Sequence, residues 1–233
     1  RALICDVLGD FDVIAICEIN DTEILPALEA ILDARGHRWE SVTSAKVGNS
    51  PASAEHYGVL YRDDWLDVAW TRQLPEVTTE AGIPFDREPF AVGIKTDDGG
   101  FDFALVVVHV TWGKSAAPRI AEVKALAGYY GEVAAIDADV VLAGDLNRDA
   151  HDERSVRWLA RELGVIGTTD SAIPTSITGD STYDHIMLPP SLYAGAHGVV
   201  RFDDTMFGGD DARARTALSD HRPVYRVHRS AGE

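Results

Sequence analysis

"VVLAGDLNRD", residues 140–149, decides how the chain is read. Val140 to Gly144 is an aliphatic run too short for a buried helix, and it reads as a strand covered on both faces. It leads directly into Asp145, Asn147 and Asp149, two of them within three residues of the last glycine. Carboxylates at the rim of a core cost several kcal/mol each unless something neutralises them. Whatever neutralises Asp145 must come from elsewhere in the chain.

Working outward, the same event recurs. The run "VIAIC" gives Glu18, "ALVVV" gives His109, Tyr183 leads into Asp184, and "ALSDHRPV" supplies Asp220 and His221. Each alone is ordinary, since a His after a strand is commonly a hydrogen-bonded rim residue and an Asp there a turn or cap. Together they form a pattern that a hard divalent cation explains. Asp, Glu and Asn oxygens suit Mg²⁺ or Mn²⁺, and histidines beside such a centre can hold and deliver a proton near neutral pH. This chemistry is metal-assisted hydrolysis of a phosphoester.

The remaining strands are short and apolar: 57–62, 90–95, 103–110, 183–188 and 221–227, beside 13–19 and 140–144. A turn at 97–100 joins two of them. Three helices are legible. Residues 22–35 place Leu25, Leu28 and Leu32 on one face, 115–135 carry Ile120, Val123, Ala127 and Tyr130 at helical spacing, and 152–163 run from a capping Asp152 to Gly164. Paired strands broken by a few long helices give two packed sheets with helices outside, all of 1–233 forming a single domain.

The chain has 233 residues, 21 basic against 38 acidic, for a formal charge of −17. At 45% hydrophobic and 25% charged it has a globular composition. The negative balance opposes a basic nucleic-acid groove, but it does not exclude a phosphate-cleaving enzyme, because a bound cation inverts the local potential. Cys5 and Cys17 read as buried small hydrophobes rather than a disulfide or zinc pair. No run reaches the roughly eighteen apolar residues of a membrane span. No secretory leader is legible, and the compartment stays open. "WGKS" (112–115) is not a P-loop, because Val108 stands where its first glycine is required. Trp112 reads as a base-stacking or a packing residue, Arg213 and Arg215 as part of a Gly/Asp-rich loop, and His185 as structural.

In sequence and order, "AICEIND", "REPF", "VVVHV", "GDLN", "YDHI" and "LSDHRPV" resemble the endonuclease/exonuclease/phosphatase superfamily, most closely its pancreatic-type deoxyribonucleases. The resemblance runs from about Asp12 to the C-terminus. It implies an α+β fold, a four-layer α/β/β/α sandwich. It also implies Glu18 as the principal metal ligand, with Asp145 and Asp220 beside it, and Mg²⁺ or Mn²⁺ as the ion, with Ca²⁺ as a structural or supporting one. Asp145 and Asn147 would orient the scissile phosphate, His221 would pair with Asp184, and His109 with Glu88. Arg87 is expected either on the phosphate or in a surface salt bridge.

The chain departs from that pattern in three places. Asn20 replaces the arginine that reaches the minor groove, and residues 63–86 hold no cysteine. Residues 1–8 read as the helix after the family's first strand, so that strand is absent and an upstream segment or partner is expected to supply it. The implied activity is endonucleolytic cleavage of DNA with low sequence specificity. A small-molecule or lipid phosphoesterase, or a catalytically silent interaction module on the same fold, are the alternatives.

Overall fold

The computed structural model describes residues 1–75, 79, 82, 85–167, 172–193 and 195–228. In chain order these form α1 (Ala2–Leu8), β1 (Val13–Ile19), α2 (Ile24–Asp33), β2 (Trp39–Thr43), β3 (His56–Arg62), β4 (Leu66–Gln73), β5 (Phe90–Thr96) and β6 (Asp102–His109). The second half comprises α3 (Ala116–Ala134), β7 (Val140–Asp145), α4 (Val156–Leu163), β8 (Ile166–Gly167), β9 (Asp184–Leu188), β10 (His197–Val199), α5 (Phe202–Phe207), α6 (Asp211–Ala217) and β11 (Val224–Arg226).

Six strands make one sheet, in the order β4-β5-β6-β7-β9-β8, with β6 and β7 parallel and the other neighbours antiparallel. A second sheet has the order β1-β3-β2, and β10 pairs with β11. Alternation along the strands sorts the side chains into three cores. Tyr57, Val59, Val92, Ile94, Leu105 and Val107 lie between the sheets. Ala104, Val106, Val108 and Leu142 face the other way, under Val123 and Leu126 of α3 and Leu159 of α4. Leu60 and Ile14 of the smaller sheet meet Leu25, Leu28 and Leu32 of α2. The layers are therefore helix, sheet, sheet, helix, as expected.

The expected helices sit where periodicity put them, with one shifted start. α4 begins after Ser155, not Asp152, whose main-chain carbonyl accepts from Ser155 and Arg157 instead. Gly164 closes it in the left-handed conformation. Strand 221–227 shortens to Val224–Arg226, because Pro223 has no amide to give a ladder. β2 and β4 are additional to the expected strands, and the polar positions of β2 hide its period. Arg213 and Arg215 lie on α6 rather than in a loop.

Over part of β7 and β9 the sandwich is thin. Val141, Ala143 and Ile186 are only partly buried, whereas Val140, Leu142 and Met187, on the helix-covered face of the same strands, are fully buried. A cavity of about 780 Å³ lies there, lined by β1, by the inner face of the large sheet and by β11. Among the described strands β1 pairs only with β3, and β11 only with β10. The slot is thus bordered by two free strand edges. A strand hydrogen-bonded to both edges would fit this slot.

Candidate active site

Register assembles the first row of the site. His109 aligns with Asp145 across the parallel β6–β7 pair, and Asp145 aligns with Asp184 across β7–β9. The three side chains follow Leu105 and Val107, Val141 and Ala143, and Ile186 in parity, so all project toward the sandwich interior at its rim. Gly144 allows the close approach that this needs. Its φ is 144°, and a Cβ there would lie 1.8 Å from the Val108 carbonyl oxygen, so no other residue fits.

Glu18 joins from the opposite sheet. The β1–β3 ladder slips between Ile16 and Ile19, and Glu18 takes φ 62°. That irregularity turns the carboxylate outward to within 3.9 Å of His109 Nε2, which also lies 3.9 Å from Asp145 Oδ2. Asn147 has φ 49°; its main-chain N–H donates to Asp145 Oδ1 at 2.6 Å and its amide to the Val110 carbonyl at 2.8 Å. Among the described residues, Glu18 and Asn147 are the only non-glycines with positive φ. Such strain is characteristic of functional sites.

His221 stands on the far side of Asp145. Its Nδ1 lies 2.8 Å from Asp184 Oδ2 and 3.8 Å from Asp145 Oδ2. Burial opposes its protonation, but the hydrogen bond and charge of Asp184, then Asp145 and Asp220, outweigh it and raise its pKa to about 9. Behind it, the buried Arg222 guanidinium grips Asp203 at 2.6 and 2.9 Å and fixes this loop on α5. Asp220 is exposed, and its main-chain carbonyl accepts from Ile177. Its charge helps to raise the His221 pKa.

The partner of His109 differs from expectation. Glu55, not Glu88, holds its Nδ1, at 2.9 and 3.1 Å. Glu88 stands two residues before β5, and its main-chain carbonyl accepts from Gln73. Glu55 also accepts the Glu18 main-chain N–H at 3.1 Å and the Arg87 guanidinium at 2.9 Å. Arg87 is therefore neither a surface ion nor free for phosphate: its Nε serves Glu55 and the Ser53 carbonyl, and it is buried. For His109 too, burial opposes the charged form and Glu55 outweighs it, so its pKa rises.

The acidic centre suits a cation. Ligand atoms of Asp145, Asp184 and His221 lie within 4.8 Å of one another. Burial first, and the charge of Asp184 second, push the Asp145 carboxyl up, and the two histidines only partly offset this. Crowded oxygens of this kind are what a hard cation relieves. His185, buried with Nε2 on the Arg148 carbonyl at 2.8 Å, is structural as expected. Trp112 is 72% exposed, which removes the packing reading. Cys5 is buried and Cys17 half-buried, and each is a free thiol.

Residues 1–221 match the family described as "Endonuclease/Exonuclease/phosphatase family". A protein named "Deoxyribonuclease" from Thioalkalivibrio sp. (strain K90mix) is 29% identical, over 94% of this chain and 63% of that one, so the chain spans under two thirds of that relative. Among solved structures, an endonuclease/exonuclease/phosphatase family protein from Bacteroides thetaiotaomicron superposes with TM-score 0.67 at 17% identity, covering 96% of this chain and 84% of that one. A mannosyl-6-phosphatase from Bacteroides thetaiotaomicron gives TM-score 0.65 at 16% identity, covering 96% and 86%. At these identities the two structures speak for the fold.

Proposed function

The chain belongs to the endonuclease/exonuclease/phosphatase family, a family of phosphoester hydrolases, and we propose that it is a divalent-metal-dependent phosphodiesterase cutting DNA with little sequence preference. The observation that carries this reading is the convergence of Glu18, Asp145, Asp184 and two acid-held imidazoles on one rim.

Both histidines present Nδ1 to a carboxylate, which fixes their orientation and leaves Nε2 for substrate. With its pKa near 9, His221 carries a proton at neutral pH and can set it against the charge that builds on phosphorus or on the leaving oxygen. His109, held by Glu55, which Arg87 braces from behind, faces the same centre through Nε2. Asn147 acts on Asp145 by anchoring its carboxylate to the turn. Mg²⁺ or Mn²⁺ held by Glu18 and Asp145 would supply Lewis-acid polarisation of a phosphoryl oxygen and acidify a water. Exposed Trp112, three residues beyond His109, offers a face on which a base or sugar can stack.

DNA as substrate draws support from the relative named "Deoxyribonuclease". The formal charge of −17 favours a second reading, a small phosphoester, because it repels a polyanion at long range. Two complete histidine–acid pairs speak against a silent module. Nicking of supercoiled plasmid, run beside a panel of small phosphoesters with Mg²⁺ and with Mn²⁺, separates these. Nicking at rates well above turnover of every small ester is expected. Turnover of a small ester alone transfers the assignment to it, and inactivity on all overturns both.

A further inference from the structure

We propose that Glu122, on α3 and outside the catalytic row, is a positioning residue that locks the two segments carrying His109 and its support. The inference rests on the phosphoesterase reading above.

The side chain is buried, 3% exposed, and it is used twice. Oε1 accepts the main-chain N–H of Asp86 at 3.0 Å, and Oε2 accepts that of Thr111 at 2.7 Å. The first amide precedes Arg87, whose guanidinium holds Glu55 against His109. The second follows Val110, whose carbonyl takes the Asn147 amide. Tyr57 makes a parallel link: its hydroxyl accepts from the His109 main-chain N–H at 3.1 Å and donates to the Arg87 carbonyl at 3.2 Å. The segment at 86–87 and the segment at 109–111 are thus buckled together on both sides of the imidazole.

A purely structural role explains this poorly. Buried acids are costly, and an aliphatic residue on this helix face would pack more cheaply beside Val123 and Leu126. What only a carboxylate does here is accept two backbone N–H groups that point at it from separate segments. Glutamine can accept one; its NH₂ then meets the other N–H donor to donor.

The test compares the parent with E122Q, both below their melting temperatures and with diamagnetic Mg²⁺ present. Plasmid nicking is followed beside the ¹H–¹⁵N resonance of the His109 ring. We expect kcat to fall by about tenfold to a hundredfold, as for a ~1 Å misplacement, with KM changed less than about twofold. The ring resonance should move with it. E122Q that melts lower but keeps the parent kcat and resonance would falsify the proposal. If the parent cuts no phosphoester, the functional reading fails by itself, and a moved or unmoved His109 resonance still decides the role of Glu122. Should E122Q not fold, Glu122→Asp, which keeps both acceptors one methylene short, gives the same two readouts.

Discussion

Glu55 and His109 are separated by 54 positions in the chain, yet the carboxylate lies 2.9 Å from the imidazole Nδ1. That contact sets the direction of His109 Nε2, because the ring can turn only if Glu55 releases it.

Glu55→Gln is therefore expected to lower kcat by about 10²- to 10³-fold, the usual range for a misdirected acid–base group. The Arg87 guanidinium also loses the nearer of its two countercharges, keeping Asp86 at 3.6 Å, so stability should drop by up to about 3–5 kcal/mol, the cost of breaking a buried pair. Steady-state kinetics and urea unfolding read the two effects separately. A variant that loses stability at full turnover would remove His109 from the chemistry.

His221 makes the reaction pH-sensitive in a stated direction. Its pKa is raised to about 9, so the protonated ring should persist through neutrality and kcat should decline on the alkaline side near that value. Asp184→Asn removes the group that does most to raise it, and the alkaline limb should move toward the ordinary histidine range. In chelator-treated protein, the His221–Asp184 contact adds stability that is whole below about pH 6.5 and fades as pH rises through about 9. His221→Ala should abolish hydrolysis with little loss of fold, as circular dichroism and nicking together will show.

Glu18→Gln should weaken metal dependence more than any other single change at the rim. Calorimetric titration with Mg²⁺ and Mn²⁺ is the measurement, and the heat seen with the parent should shrink or vanish. An unchanged isotherm would move the principal ligand to Asp145 and Asp184.

The slot between β1 and β11 predicts that an added strand stabilises the molecule. A chain extended ahead of Arg1 by about seven residues alternating apolar and polar should melt several degrees higher, with Val141, Ala143 and Ile186 losing solvent exposure. Hydrogen exchange on β1 amides reports it directly. Equal protection with and without the extension would mean the two edges do not accept a strand.

Most of the candidate row is legible because Glu18, His109, Asp145 and Asn147 terminate or follow runs of apolar residues. Asp184 opens a strand, but the Tyr-Asp-His-Ile motif drew attention to it. Glu55 was missed for a physical reason. β3 runs antiparallel to β1, so its beginning, not its end, reaches the level of Glu18, and Glu55 precedes β3 by one residue. Looking for ionisable groups at the start of antiparallel strands would have found it. The REPF motif implies Glu88 as the partner of His109, whereas the residue of that motif which reaches the pair is Arg87, through Glu55. β4 carries the strand alternation, Leu66, Val68 and Trp70 against Asp67, Ala69 and Thr71, whereas β2 surrounds Val42 with polar Glu40, Ser41 and Thr43, so tertiary pairing decides β2.

Glu18 and Asn147 hold left-handed backbones, each at a cost of about 1–3 kcal/mol to the folded state. Glycine at position 18 would relax the chain but remove the proposed metal-binding carboxylate, and at position 147 it would remove the amide that ties this turn to the Val110 carbonyl. Thermal hardening of this scaffold therefore has no safe route through those two positions, and must come from helix surfaces and loops distant from the reacting phosphorus.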